Sequence, residues 1–166
     1  MQHRMVRKGG CVKRWHTIPN AQEQTVAAHS WGVACIILEL WPDSSMDLVR
    51  AALLHDVAEQ FTGDIPATAK WANPGLAKEA NKAEDLFWGK IKSLNGTFPA
   101  LKATEQLKLK IADMMELLWY CIEEERLGNR NFKEVFVRGV KYMQDLMLDD
   151  PAVHMLNELI AMEAEL

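Results

Sequence analysis

Residues 51–70 read AALLHDVAEQFTGDIPATAK. The stretch starts as an apolar helix, places His55, Asp56 and Glu59 on it, and turns at Gly63 with Asp64 just beyond. Ionisable side chains on an apolar helix cost free energy unless something pairs with them. Leu48, Ala52, His55, Asp56 and Glu59 share one face at i, i+4, i+7, i+8 and i+11. The other faces carry Val49, Leu53 and Val57, and Leu54, Ala58 and Phe61, so the spacing predicts a central, buried helix over 45–61.

Working outward, the same periodicity predicts helices over 22–41, 75–94, 104–127, 132–148 and 152–164. Turns are expected at Trp41-Pro42-Asp43, Thr62-Gly63-Asp64, Asn73-Pro74-Gly75 and Asn95-Gly96. Ser44 stands three residues before Asp47, the pattern of a capping box. No strand pair, repeat or linker is visible. The expectation is a compact all-α bundle of six or seven helices, one domain over residues 1–166.

Two further helices push ionisable groups inward. On 22–41, His29 is the polar member of the stripe Val26, His29, Val33, Ile36, Ile37, Leu40, and on 104–127 Asp113 lines up with Leu109, Leu117 and Tyr120. Each alone has an ordinary explanation: a hydrogen-bonded core histidine, or an aspartate serving as a cap. Together, two imidazoles and two carboxylates can satisfy one another around a divalent cation set between the central helices. A mixed His and Asp set suits Zn, Co, Mn or Fe, with Mg also admissible.

Composition narrows the function classes. With 49% hydrophobic and 25% charged residues, the chain is ordinary for a globular protein, and no apolar run is long enough to span a bilayer. A net charge of −4 argues against a surface for a nucleic-acid polymer. Arg4, Arg7, Lys8, Lys13 and Arg14 precede the first acid, Glu23, a segment that suits a small phosphate ligand or else a solvated tail. Three widely spaced cysteines and no apolar leader fit a reducing, cytoplasmic setting.

The ordered set Arg14-Trp15, TVAAHS (25–30), LHDVAE (54–59), TGDIP (62–66) and Asp113 resembles the HD-domain metal-dependent phosphohydrolases, and within them the YfbR-like 5′-deoxynucleotidase branch. The likeness runs from Arg14 to about Tyr120. It implies that His29, His55, Asp56 and Asp113 hold the metal and that Glu59 and Asp64 handle protons at the attacking water or leaving oxygen. It also implies that Arg14 and Trp15 sit at a deoxynucleotide, with Lys70 and Lys110 as weaker candidates for its phosphates. RWHT and QTVAAHSWGVA are similar to a phage subgroup of dATP triphosphohydrolases, found where 2-aminoadenine replaces adenine in DNA. There, base selection is expected around Trp15, Thr17 and Ile18. The function this implies is release of triphosphate from dATP by in-line attack of water on the α-phosphorus. The alternatives are a nucleotidase acting on deoxynucleoside monophosphates, a non-catalytic HD-fold binding module and, less favoured, a guanosine-polyphosphate hydrolase. A homo-oligomer is expected from the family's habit. One departure is Ala28, where relatives commonly carry Glu; that position is expected to face away from the metal.

Overall fold

The computed structural model describes residues 2–90 and 99–166. Its helices are α1 (Gln2–Gly9), α2 (Val26–Leu40), α3 (Met46–Leu54), α4 (Ala67–Ala72), α5 (Pro74–Lys90), α6 (Ala103–Arg126), α7 (Lys133–Gln144) and α8 (Asp150–Ala164). Short 3-10 turns occupy Val57–Gln60 and Arg130–Phe132. Among the described residues no strand forms, and the one extended pairing is an isolated antiparallel bridge between Lys13 and Thr25. The expected Asn95-Gly96 turn and the end of the 75–94 helix lie outside the described residues.

The inward stripe read on α2 is buried throughout, and Val33, Ile36, Ile37 and Leu40 join Leu48, Ile111, Met115, Leu118, Phe132 and Leu159 in the main core. α6 runs through the middle of the bundle, packed against α2, α3, α7 and α8. A smaller cluster of Val57, Ala58, Phe87 and Trp88 joins the 3-10 turn to α5, with Val6 of α1 packed against it.

Five local expectations are corrected. The helix expected over 45–61 breaks: α3 ends at Leu54, and Asp56 sits at φ −98°, ψ 1°, a sparsely allowed region that active-site residues often occupy. No glycine or proline marks this break, so the sequence pattern does not reveal it. That helix is also not buried all round, since Leu53 and Phe61 are 44% and 57% exposed. The helix expected from residue 22 starts at Val26, because Thr25 caps it by accepting the Ala28 amide, while residues before it pair with the chain near Lys13. Ser45, not Ser44, caps α3, accepting from the Leu48 amide. α1 and α4 had no counterpart in the expected helices; α1 carries Arg7 and Lys8 exposed and Val6 packed toward the small cluster.

Gly9, at the end of α1, is where α1 meets the 3-10 turn that carries Glu59. A Cβ there would come 2.5 Å from the Val57 carbonyl oxygen and 2.8 Å from its Cα, and backbone cannot yield as a side-chain tip can. Gly9→Ala is expected to destabilise the protein by roughly 1–3 kcal/mol, the usual scale for overpacking. A lowered urea midpoint checks this, and an unchanged midpoint contradicts the contact.

Candidate active site and metal centre

Breaking the helix after Leu54 has a direct consequence for the site. In a continuous α-helix adjacent side chains diverge by about 100°. Here, His55 Nε2 and Asp56 Oδ2 lie 3.4 Å apart and both face α2. His29 Nε2 is 3.3 Å from His55 Nε2, 3.2 Å from Asp113 Oδ1 and 3.6 Å from Asp56 Oδ2. Thus α2, α6 and the end of α3 deliver the four expected ligands to one point. His29, His55 and Asp113 each offer a ligand atom within 4.8 Å of the others. Asp56 joins them while its Oδ2 also accepts from Arg14 Nη1 at 2.7 Å.

The far side of each imidazole fixes which nitrogen faces inward. His55 Nδ1 donates to the Ala52 carbonyl at 2.7 Å, and His29 Nδ1 donates to Glu116 Oε2. Both Nε2 atoms therefore point at each other and at carboxylate oxygens, an arrangement that is repulsive while both are unprotonated and that a proton shared with Asp113 or a divalent cation relieves. The residues present fit such an ion. In the metal-free chain, burial and Arg14 oppose protonation of His29, but hydrogen bonds to Asp113 and Glu116 raise it to about 9. Burial works to raise the Asp56 and Asp113 carboxyls. His55 and Arg14 overcome it for Asp56, and the His29 hydrogen bond and Lys110 overcome it for Asp113, so both stay below the ordinary range.

Above this point opens a cleft of about 590 Å³, within the usual size of small-molecule sites. Arg14, Trp15, Thr17, Ile18, Asp56, Glu59, Asp64, Lys70, Lys110 and Asp113 all line it, so every expected site residue is here except the two histidines, which lie against Asp113 and Asp56. Lys110 Nζ donates to Asp113 Oδ2 at 3.1 Å. Ala28 is exposed, as expected.

Trp15 is the one non-glycine residue with positive φ (61°) among the described residues. A bulky residue in that region carries about 1–3 kcal/mol of strain and persists only where its surroundings hold it. Its ring lies parallel to Tyr120 at 5.6 Å and edge-on to Phe132 at 5.3 Å, and its backbone N–H donates to Asp64 Oδ2 at 3.2 Å. Trp15 is therefore both a core anchor and a wall of the cleft. The loop behind it is clamped by Glu124, which accepts from the Ala21 and Gln22 amides at 2.6 and 2.7 Å, and by Tyr120 Oη, which donates to the Gln22 carbonyl at 2.6 Å.

The sequence reading missed Glu116, Gln24 and Glu124, and also the α7 side of the cleft, where Val135, Arg138 and Tyr142 stand. Glu116 had one usable signal, its position one turn after Asp113. The α7 residues had none, since their inward face differs little from an ordinary amphipathic pattern.

Glu59 is 6% exposed, and its Oε2 is buried with no hydrogen-bond partner. Burial, with Asp56 and Asp64 nearby, raises its carboxyl to about 8. Between its ordinary value and about 8, the folded chain holds a proton there that the unfolded chain has lost, so this group makes stability fall as pH rises through that window. In the presence of chelator, Glu59→Gln is expected to raise Tm relative to wild type at pH 8, with the difference shrinking toward pH 5. An equal difference at both pH values contradicts the raised carboxyl.

A family model described as 5′-deoxynucleotidase YfbR-like matches residues 3–163. The chain is 29% identical over 174 aligned residues to a dATP triphosphohydrolase of Salmonella phage PMBT28, covering 93% of this chain and 85% of that protein. It is 30% identical over 147 residues to a 5′-deoxynucleotidase of Yersinia pestis (strain Pestoides F), covering 76% and 75%. Among solved structures, the PH0347 protein of Pyrococcus horikoshii OT3 superposes with a TM-score of 0.77 at 23% identity, over 97% of this chain and 98% of that one. The cyanophage S-2L HD phosphohydrolase DatZ, bound to dA and one catalytic Zn2+ ion, superposes with a TM-score of 0.65 at 18% identity, over 98% and 96%. At these identities the two structures speak to the fold, and they share the all-helical architecture. The chain belongs to the YfbR-like family and is an HD-type phosphohydrolase.

Proposed function

We propose that the protein is a divalent-metal-dependent deoxynucleotide phosphohydrolase whose preferred substrate is dATP, cleaved to deoxyadenosine and triphosphate. The observation that carries this reading is the meeting of two inward Nε2 atoms and two carboxylates at the base of a cleft lined by Arg14, Lys70, Lys110 and Arg138. A triphosphate offers acceptors to all four cations, three of which pair with Asp56, Asp113 and Glu134. The dATP triphosphohydrolase of the Salmonella phage supports the substrate, as does the dA held by the cyanophage protein.

His29, His55, Asp56 and Asp113 would hold the ion, with Zn favoured by the ion in the cyanophage structure. When bound, a divalent cation there supplies Lewis-acid polarisation of a phosphoryl oxygen and lowers the pKa of water. The chain's own groups do the rest. Arg14, Lys70 and Lys110 hold phosphate charge. Asp64, fixed by the Trp15 amide, orients the attacking water and takes its proton. Glu59, protonated at its raised carboxyl, delivers a proton to the leaving 5′-oxygen. Trp15, Thr17 and Ile18 wall the base and sugar, and a close wall rejects an extra exocyclic amine sterically, which suits a setting where 2-aminoadenine replaces adenine. Association of copies belongs to the same proposal, Trp31 (68% exposed) and Phe61 being exposed aromatic rings it would cover.

The second reading is a 5′-deoxynucleotidase acting on monophosphates, favoured by the 30% identity to the Yersinia enzyme. Incubation with the four deoxynucleoside triphosphates and their monophosphates decides. The proposal expects triphosphate and deoxyadenosine from dATP in preference to the others; orthophosphate from all monophosphates with dATP intact overturns it in favour of the second reading. Glu59→Ala is expected to retain metal and lose about 10²-fold or more in rate. An undiminished rate removes Glu59 from the chemistry.

A further inference from the structure

Three hydrogen bonds in series join the cleft wall to the histidine behind it. Trp15 Nε1 donates to Gln24 Oε1 at 2.9 Å, Gln24 Nε2 donates to Glu116 Oε1 at 2.7 Å, and His29 Nδ1 donates to Glu116 Oε2. Gln24, Glu116 and His29 are buried, at 6%, 8% and 0% exposure, so the Gln24–Glu116 and Glu116–His29 bonds lie away from solvent. Gly32 packs against the same carboxylate, since a Cβ there would lie 2.9 Å from Glu116 Cγ.

The polarity of the series is fixed at both ends. An indole N–H only donates, and an ionised carboxylate only accepts. The residue between them must accept at one end and donate at the other. A side-chain amide does both; a carboxylate, an ammonium or an aliphatic chain does not. Gln24 is held to its position from behind as well, because its carbonyl accepts the Arg14 amide at 2.9 Å.

Resting on the metal-site reading above, we propose that Gln24 and Glu116 are positioning residues of this enzyme. Glu116 keeps the His29 proton on Nδ1 so that the Nε2 lone pair faces the ion. Gln24 ties that carboxylate to the aromatic wall of the substrate cleft. Metal site and substrate wall are thereby one hydrogen-bonded unit, and neither residue touches the substrate.

The test uses the full chain stripped of metal, with Co2+ alone as probe and a competing chelator to read affinity. Glu116→Gln turns a donor toward the Gln24 amide, and Gln24→Glu sets two carboxylates against each other. Each single change is expected to weaken Co2+ binding about 10–100-fold, the scale usual for outer partners of metal ligands. In the Gln24→Glu/Glu116→Gln double variant, amide and carboxylate exchange places and every donor again meets an acceptor. Affinity is expected to return to near wild type. Additive losses in the double variant, or single variants that bind like wild type, overturn the proposal. Should one single variant fail to fold, recovery of its thermal transition in the double variant supports the same complementarity, and failure to recover overturns it. Wild-type protein that takes up no Co2+ is a separate result and overturns the metal-site reading itself.

Discussion

Two imidazole nitrogens facing each other at 3.3 Å, backed by two carboxylates held in their charged form, are costly to bury unless positive charge stands among them. Protons, Arg14 and Lys110 offset part of that cost in the metal-free chain, and a cation at the centre offsets it more completely. This constraint shapes the elements around it. α3 stops where it does so that His55 and Asp56 address the same point, and α2 buries a histidine in an otherwise aliphatic stripe.

α6 organises what surrounds the His–Asp group. Asp113, Glu116, Tyr120 and Glu124 fall at spacings of three and four residues, one continuous stripe along the helix. The stripe begins at Asp113 in the His–Asp group, continues to the carboxylate that accepts from His29 Nδ1, and ends at the side chains that clamp residues 20–22. The same helix thus places Asp113, holds the His29 ring and anchors the loop that presents Arg14 and Trp15. Strain at Trp15 is tolerated because its ring, its indole N–H and its backbone N–H are each engaged.

What was legible in the sequence follows from periodicity. His29, His55, Asp56 and Asp113 stood out because each interrupts an apolar face, and the structure gathers them. The break at Asp56 was not legible, since no glycine or proline marks it and the apolar pattern runs on through Phe61. The Gln24–Glu116 pair was hidden for another reason: its members are 92 positions apart, and a buried polar residue is recognised as paired only once its partner is in place. α1 escaped because a short segment rich in basic residues reads as a solvated tail.

The most direct measurement is the location of a bound ion by anomalous X-ray scattering at the absorption edge of the metal, on crystals of the zinc-loaded protein. The account predicts one ion peak within ligand distance of His29 Nε2, His55 Nε2, Asp56 and Asp113. A peak elsewhere, or four side chains that share no ion at saturating zinc, would contradict it.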